Sequence, residues 1–395
     1  MGASSVDGQV EPPFSAVADA FRRNFERFGE KGAAVCIYHR GAKVVDLWGG
    51  VRDTHSSAPW REDTVVPMLS TTKGMAAVAC AVAASRGRVA YDERIATWWP
   101  EFAAHGKSDI TLAQLLEHAA GLATAGRRLG KDDLKSRSLL MAFLAGRAPS
   151  WPPGTHWGYH IATWGLYVGE VMRRADPAAR GLGAQFEEEV ARPLGIDFRI
   201  GLPRDHWNDR LARLDLPGPF DVAASLPWMR PGLLLQVLNP LSQFHRCARE
   251  AWDFDPNDRD WLGLDFASAS GVGEVRAVAR VYDCLARGGV ELGLNREVVD
   301  RLYAPSAPPR HGSVDLTLGV DIHWHLGFSH PSPDFPFSDS PNALGMGGFG
   351  GSFGFADPAR AIGYAYAPMS LSALPYDDRR ERRLRRALAH CLEAL

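Results

Sequence analysis

Ser70 and Lys73 stand three residues apart in "MLSTTKGMAAVACAVAA", where an apolar stretch turns into an Ala-rich, helix-favouring run. Positions i and i+3 of a helix lie one turn apart on one face, so both side chains would point into the same space. An ammonium enclosed by alanines loses solvation. Its pKa falls, and it becomes a base or electrostatic partner for a serine nucleophile. The helix N-terminus would add positive potential at Ser70. The bland alternative is a serine cap followed by a solvated lysine. Of the six lysines, only Lys73 has a serine three residues before it.

Two further stretches offer what such a nucleophile needs. In "WPPGTHWGYHIATWGLYVGEV", a Pro-Gly turn leads through Tyr159 into an apolar helix, presenting a phenol at a loop-to-helix junction. Beside a cationic lysine its pKa would fall, and it could carry a proton between nucleophile and leaving group. His160 next to it is a candidate to tune Tyr159 or orient the acyl group, and Trp157 to line an aromatic pocket with Trp151 and Trp324. In "GMGGFGGS", glycines let substrate approach backbone, and an exposed N–H there can join that of Ser70 around a developing oxyanion.

These residues need elements to carry them. Val17, Phe21, Phe25 and Phe28 predict a helix over 14–29, and Arg40-Gly41 between two β-prone runs predicts a hairpin. From Gly74 to Gly263 helical signals bounded by Gly or Pro dominate; residues 202–265, rich in Pro, Trp and Asp, read as irregular cover over a cleft. "GEVRAVARVYDCLARGG" predicts a helix, "LGVDIHWHLGF" and "ALGMGGFGGSFGFADPARAIGYAYAPM" predict strands, and the last 19 residues predict a helix with an apolar stripe and a solvated arginine face. An α/β lobe over 10–72 and 264–395, a mainly helical lobe over 73–263 and a site between them follow.

Taken together, "STTKG", "ITLAQLLEHAAGL", "PPGTHWGYH", "RPLGI", "SASGVGEVRAVARVY" and "GMGGFGGSFGFADP" resemble the serine β-lactamase and penicillin-binding-protein superfamily over nearly the whole chain. Within it the chain looks most like the family VIII carboxylesterases, whose fold is close to that of class C β-lactamases. The resemblance implies an antiparallel sheet flanked by helices, Ser70 as acylated nucleophile, Lys73 as its partner, Tyr159 as general base, and the N–H groups of Ser70 and Phe349 as oxyanion hole. It implies no metal or organic cofactor.

The departures are informative. Where β-lactamases carry Tyr-x-Asn or Ser-Asp-Asn, this chain has Tyr159-His160-Ile161; where they carry Lys-Thr-Gly, it has Met346-Gly347-Gly348. The cation that would hold a recognition carboxylate is missing, so an uncharged small-molecule ester is the expected substrate. An acyltransferase using the same acyl-enzyme is the main alternative, and a β-lactamase or D-Ala-D-Ala peptidase a weaker one.

Other signals compete less well. "GGSFG" matches G-x-S-x-G, with Asp357 and His390 after it, but strand-like sequence follows Ser352 where a nucleophile elbow requires a helix. Asp321, His323 and His325 share a strand face with zinc-like spacing but lack a fourth ligand nearby, so His325 is read as touching substrate rather than metal. His118 in "HAAGL" is read as structural.

A net charge of −2 offers no field for nucleic acid or an acidic membrane. Five scattered cysteines in apolar surroundings read as buried thiols, and with no basic-then-apolar leader in "MGASSVDGQVEPPF" they point to the cytoplasm. Val6 at the sixth position departs from a myristoylation pattern despite Gly2.

Overall fold

The computed structural model describes residues 6–203, 206, 209–250 and 254–395. Gly2 and Ser5 lie outside the described residues.

Twelve strands occur among the described residues, in chain order: β1 Val6–Val10, β2 Gly32–His39, β3 Ala42–Asp53, β4 Ala58–Pro59, β5 Val66–Pro67, β6 Phe198–Ile200, β7 Gly271–Gly273, β8 His323–His325, β9 Phe328–His330, β10 Leu344–Gly347, β11 Phe353–Asp357 and β12 Ile362–Pro368. Eight form the path β1-β3-β2-β12-β11-β10-β9-β8, antiparallel throughout, with β4 paired to β3. A small sheet, β5-β7-β6, lies apart from it. Arg40 and Gly41 both take positive φ, the geometry of the two-residue turn predicted between β2 and β3. The central strand β12 is buried along its whole length, because helices cover both of its faces.

Fifteen α-helices are described: α1 Ser15–Arg27, α2 Thr71–Ser85, α3 Leu112–Leu116, α4 Lys131–Lys135, α5 Arg137–Ala145, α6 Thr163–Ala175, α7 Leu182–Phe186, α8 Arg192–Leu194, α9 Pro219–Ser225, α10 Pro231–Leu238, α11 Gln243–Glu250, α12 Arg259–Leu262, α13 Val275–Ala286, α14 Arg296–Leu302 and α15 Arg379–Glu393. One apolar core lies between the sheet, α2, α13 and the helices of the middle third of the chain; the other joins the opposite sheet face to α1 and α15. Helix α2 is buried from Thr71 to Ala83. Alanines make that possible, since they let strand and helix neighbours approach on every side at little entropic cost.

Two expectations are corrected. The stretch read as irregular cover carries α9 to α12; residues 204–205, 207–208 and 251–253 of it lie outside the described residues. Pro219 and Pro231, which read as breakers, instead open helices, where a missing N–H costs nothing, and Asp221 reaches back to cap the Gly218 N–H. The arginine face of α15 is not wholly solvated. Arg380 is buried against Glu30 and Asp378, and Arg385 against Glu381 and Asp377.

Candidate active site

Ser70 sits one residue before α2, and Leu69 before it holds φ +47°. A left-handed leucine is strained, a cost that proteins tolerate mainly where the chain must aim a side chain. The turn is held by Thr71 N–H on Met68 O and by Thr72, whose hydroxyl donates to Leu69 O and accepts the Gly271 N–H. The Ser70 hydroxyl caps nothing. It is left for Lys73.

Lys73 is fully buried. Its Nζ reaches Ser70 Oγ at 3.1 Å, Ile161 O at 2.9 Å and Ser268 O at 3.1 Å. Burial pushes its pKa well below 10.5, and no carboxylate opposes the shift. All three contacts are hydrogen bonds donated by the amine, two to backbone carbonyls and one to the Ser70 hydroxyl. The alternative of a solvated lysine is overturned.

Tyr159 completes the group. Its ring lies 4.9 Å from Lys73 Nζ, and its hydroxyl hydrogen-bonds Ser70. Burial raises the phenol pKa, with the Ser70 hydrogen bond only partly opposing it. This corrects the expectation of a lowered value, because desolvation of the phenol outweighs what would favour the phenolate. Trp324 stacks on the ring at 5.0 Å and 9°, and His118 meets it edge-on at 4.8 Å. Asp315 accepts the Trp324 indole N–H at 2.8 Å and the Tyr159 backbone N–H, locking phenol and indole together.

Three predicted substrate contacts are turned away from this cleft. His160 follows Tyr159 in an extended run, so its side chain takes the opposite side. It is buried, with Nδ1–H donating to Gly158 O and Nε2 accepting the Leu122 N–H at 3.0 Å, while its own N–H donates to His118 Nδ1. His325 neighbours Trp324 on β8 and therefore faces away from it; its ring nitrogens meet Arg301 O and Glu117. Trp157 is buried beneath the wall, its carbonyl bonded to the Leu316 N–H. His323 pairs with Asp321, and among the described residues no cluster of His, Cys, Asp or Glu could hold a metal ion.

The glycine stretch behaves as predicted in position. The β10–β11 loop crosses the start of α2, and a Cβ on Gly348 would lie 2.5 Å from Met68 O and 2.4 Å from Ser352 Oγ. Gly74 is as tightly placed, between Tyr282 and Met346. Phe349, 38% exposed, lines the cleft beside Ser70, and Met346, Gly347 and Gly348 line it as well. Ser352 Oγ is engaged, donating to Met68 O and sharing a bond with Thr71 Oγ; strand β11 follows it, and Asp357 is taken up by Ser338 and Ser340. The G-x-S-x-G reading has no triad.

Sequence reasoning missed the two carbonyls that hold Lys73, at Ile161 and Ser268, and the roles of Asp315 and Trp324. Backbone acceptors have no sequence signature, whereas the density of aromatic residues around Tyr159 was a usable signal for Trp324.

The "Beta-lactamase" family model matches residues 21–390. The chain is 30% identical over 372 residues to the esterase/beta-lactamase LipL of Mycobacterium tuberculosis, covering 91% of this chain and 82% of that one. A family VIII carboxylesterase crystal structure superposes with TM-score 0.84 at 34% identity, covering 98% of this chain and all of the other. A penicillin-binding protein homologue from Caulobacter crescentus gives TM-score 0.83 at 31% identity over 98% of this chain and all of that one. With the serine, buried lysine and tyrosine set on this sheet and helix framework, the chain belongs to the beta-lactamase family.

Proposed function

We propose that the protein is a serine hydrolase of uncharged carboxylic esters acting through a Ser70 acyl-enzyme. The observation that carries the reading is Lys73, fully buried without an acid partner and within 3.1 Å of Ser70 Oγ. A desolvated amine accepts a proton that a solvated ammonium cannot. Ser70 Oγ bonds to the ester carbonyl carbon as its proton passes to Lys73. The Ser70 and Phe349 N–H groups take the oxyanion charge, a contribution worth about 3–4 kcal/mol per donor in acyl transfer.

When the tetrahedral intermediate collapses, the C–O bond to the alcohol breaks. The leaving oxygen takes a proton from the Tyr159 hydroxyl, which regains one from Lys73. Water then attacks the acyl carbon as its proton passes to Lys73, and when the Ser70 ester bond breaks that proton returns to Ser70 Oγ and the acid leaves. Tyr159 acts here as proton carrier and acid, with Lys73 as first base, which differs from the role the family resemblance implied. The carboxylesterase name of the 34% identical structure, and a cleft wall beside Met346 that carries no Lys, Arg or His among the described residues, support an uncharged ester.

Intact-mass spectrometry after a fluorophosphonate tests the reading. One adduct is expected on the wild-type chain and none on Ser70→Ala. An unlabelled wild-type protein that also leaves p-nitrophenyl acetate intact overturns it.

A further inference from the structure

Two cavities, not one, open on Ser70. The first, ≈ 450 Å³, runs under the cap made by α9 to α11 and is walled by aromatic rings including Trp324, Phe335, Phe353 and Phe244. The second, ≈ 510 Å³, is walled by Leu134, Leu166, Phe254, Trp261 and Phe266. Their walls share four residues, Ser70, Ile161, Ala248 and Phe349, so they meet at the nucleophile. Each is the size of a pocket that encloses a drug-sized ligand.

Tyr159 lines the first cavity and not the second. A departing alkoxide must lie where Tyr159 can reach it, so the alcohol belongs in the first cavity and the acyl chain in the second. Among the described residues no Lys, Arg or His lines either wall. The one carboxylate in the second, Glu250, accepts the N–H groups of Ala125 and Gly126, and Asp377, Asp378 and Glu381 in the first are paired with Arg382, Arg380 and Arg385. Among the described residues neither wall offers a cation to an anionic group.

We propose that the substrate is an ester apolar on both sides of its carbonyl, a medium-chain fatty acyl group joined to a ring-bearing alcohol, with the acyl chain seated against Leu134 and Phe254. The assignment rests on the Ser70 and Tyr159 roles proposed above. Burial of each methylene contributes about a fourfold gain in binding when it is fully realised.

The experiment is a p-nitrophenyl ester series from acetate to dodecanoate, with kcat/KM measured on wild type, Leu134→Trp and Leu134→Ala. On the wild type, kcat/KM should climb about two- to fourfold per methylene to roughly eight carbons. Leu134→Trp should cut the octanoate-to-acetate ratio at least about tenfold, and Leu134→Ala should move the optimum to longer chains. Val222→Trp, which narrows the first cavity, should instead lower the ratio of naphthyl to methyl octanoate turnover.

Thermal unfolding of each variant separates a blocked cavity from a lost fold. A series that declines from acetate onward overturns the proposal while leaving the esterase reading intact. An acyl-length dependence that responds to Val222→Trp rather than Leu134→Trp shows the two sides to be reversed and also overturns it. Failure of all esters together with an unlabelled Ser70 overturns both.

Discussion

Burial by itself does not make a lysine catalytic. Lys107 is as buried as Lys73 and donates to the carbonyls of Ala104, Ala145 and Arg147, with desolvation pushing its pKa to about 8. It holds loops together. What distinguishes Lys73 is that one of its three partners is a hydroxyl facing a cavity. Since Lys73 must be neutral to take the Ser70 proton, kcat/KM should rise as pH climbs through its lowered pKa. That rise should be complete well below the value near 10.4 at which a solvated lysine titrates. Lys73→Arg retains the charge at every accessible pH, so kcat should fall by about 10²–10⁴. A pH profile and steady-state kinetics check both; a half-rise near 10.4, or an arginine variant of normal kcat, would sink the assignment.

At the scale of elements, the segment from Trp157 to Ile161 shows how one short run serves two purposes. Tyr159 faces the cleft, while His160, pointing the other way, pins the run to the 118–122 loop through Leu122 and His118. Both ring nitrogens of His160 are satisfied by a neutral imidazole, and burial lowers its pKa to about 3. The unfolded chain binds a proton at His160 below about pH 6.5 and the folded chain does not. Stability is therefore lost as pH falls from about 6.5 toward 3, by on the order of 4 kcal/mol from this group when the shift is fully expressed. Urea unfolding of wild type and His160→Gln at pH 7 and pH 4 isolates the effect. The variant should show a smaller acid loss, and equal losses in the two proteins would refute the assignment. The sequence marked this histidine through its place beside Tyr159 and read it as facing the acyl group; the partners that turn it away, Leu122 and His118, lie 38 and 42 residues earlier and were not legible.

Across the whole molecule, the two ends of the chain close one face of the sheet. Helices α1 and α15 pack together, and Arg380 on α15 joins Glu30, just after α1, and Asp378, while Tyr366 on β12 donates to Glu30. Arg380→Met would leave two acidic groups buried without their partner, a loss of about 3–5 kcal/mol in other buried ion pairs. Chemical denaturation should show that loss, with the midpoint shifted and the slope kept; a change below about 1 kcal/mol would mean the acids neutralise at little cost. The arginine run of α15 was misread as a solvated face because a helical pattern assigns charge outward, whereas Glu30 and Asp378 around Arg380, and Asp377 and Glu381 around Arg385, make inward arginines tolerable.

By itself the sequence determined which serine, lysine and tyrosine are the candidates, the hairpin, the long helices and the strand-rich C-terminal third, because local spacing and turn chemistry act within a few residues. It also determined what is missing: an amide after Tyr159 and a cation at Met346. The tertiary structure alone supplied the carbonyls that hold Lys73, since Ile161 and Ser268 come from 88 and 195 residues away. It decided that His160, His325 and Trp157 leave the cleft, and that two apolar cavities meet at Ser70. Desolvation, carbonyl acceptors and empty space belong to the packing of distant segments, and no local pattern of residues encodes them.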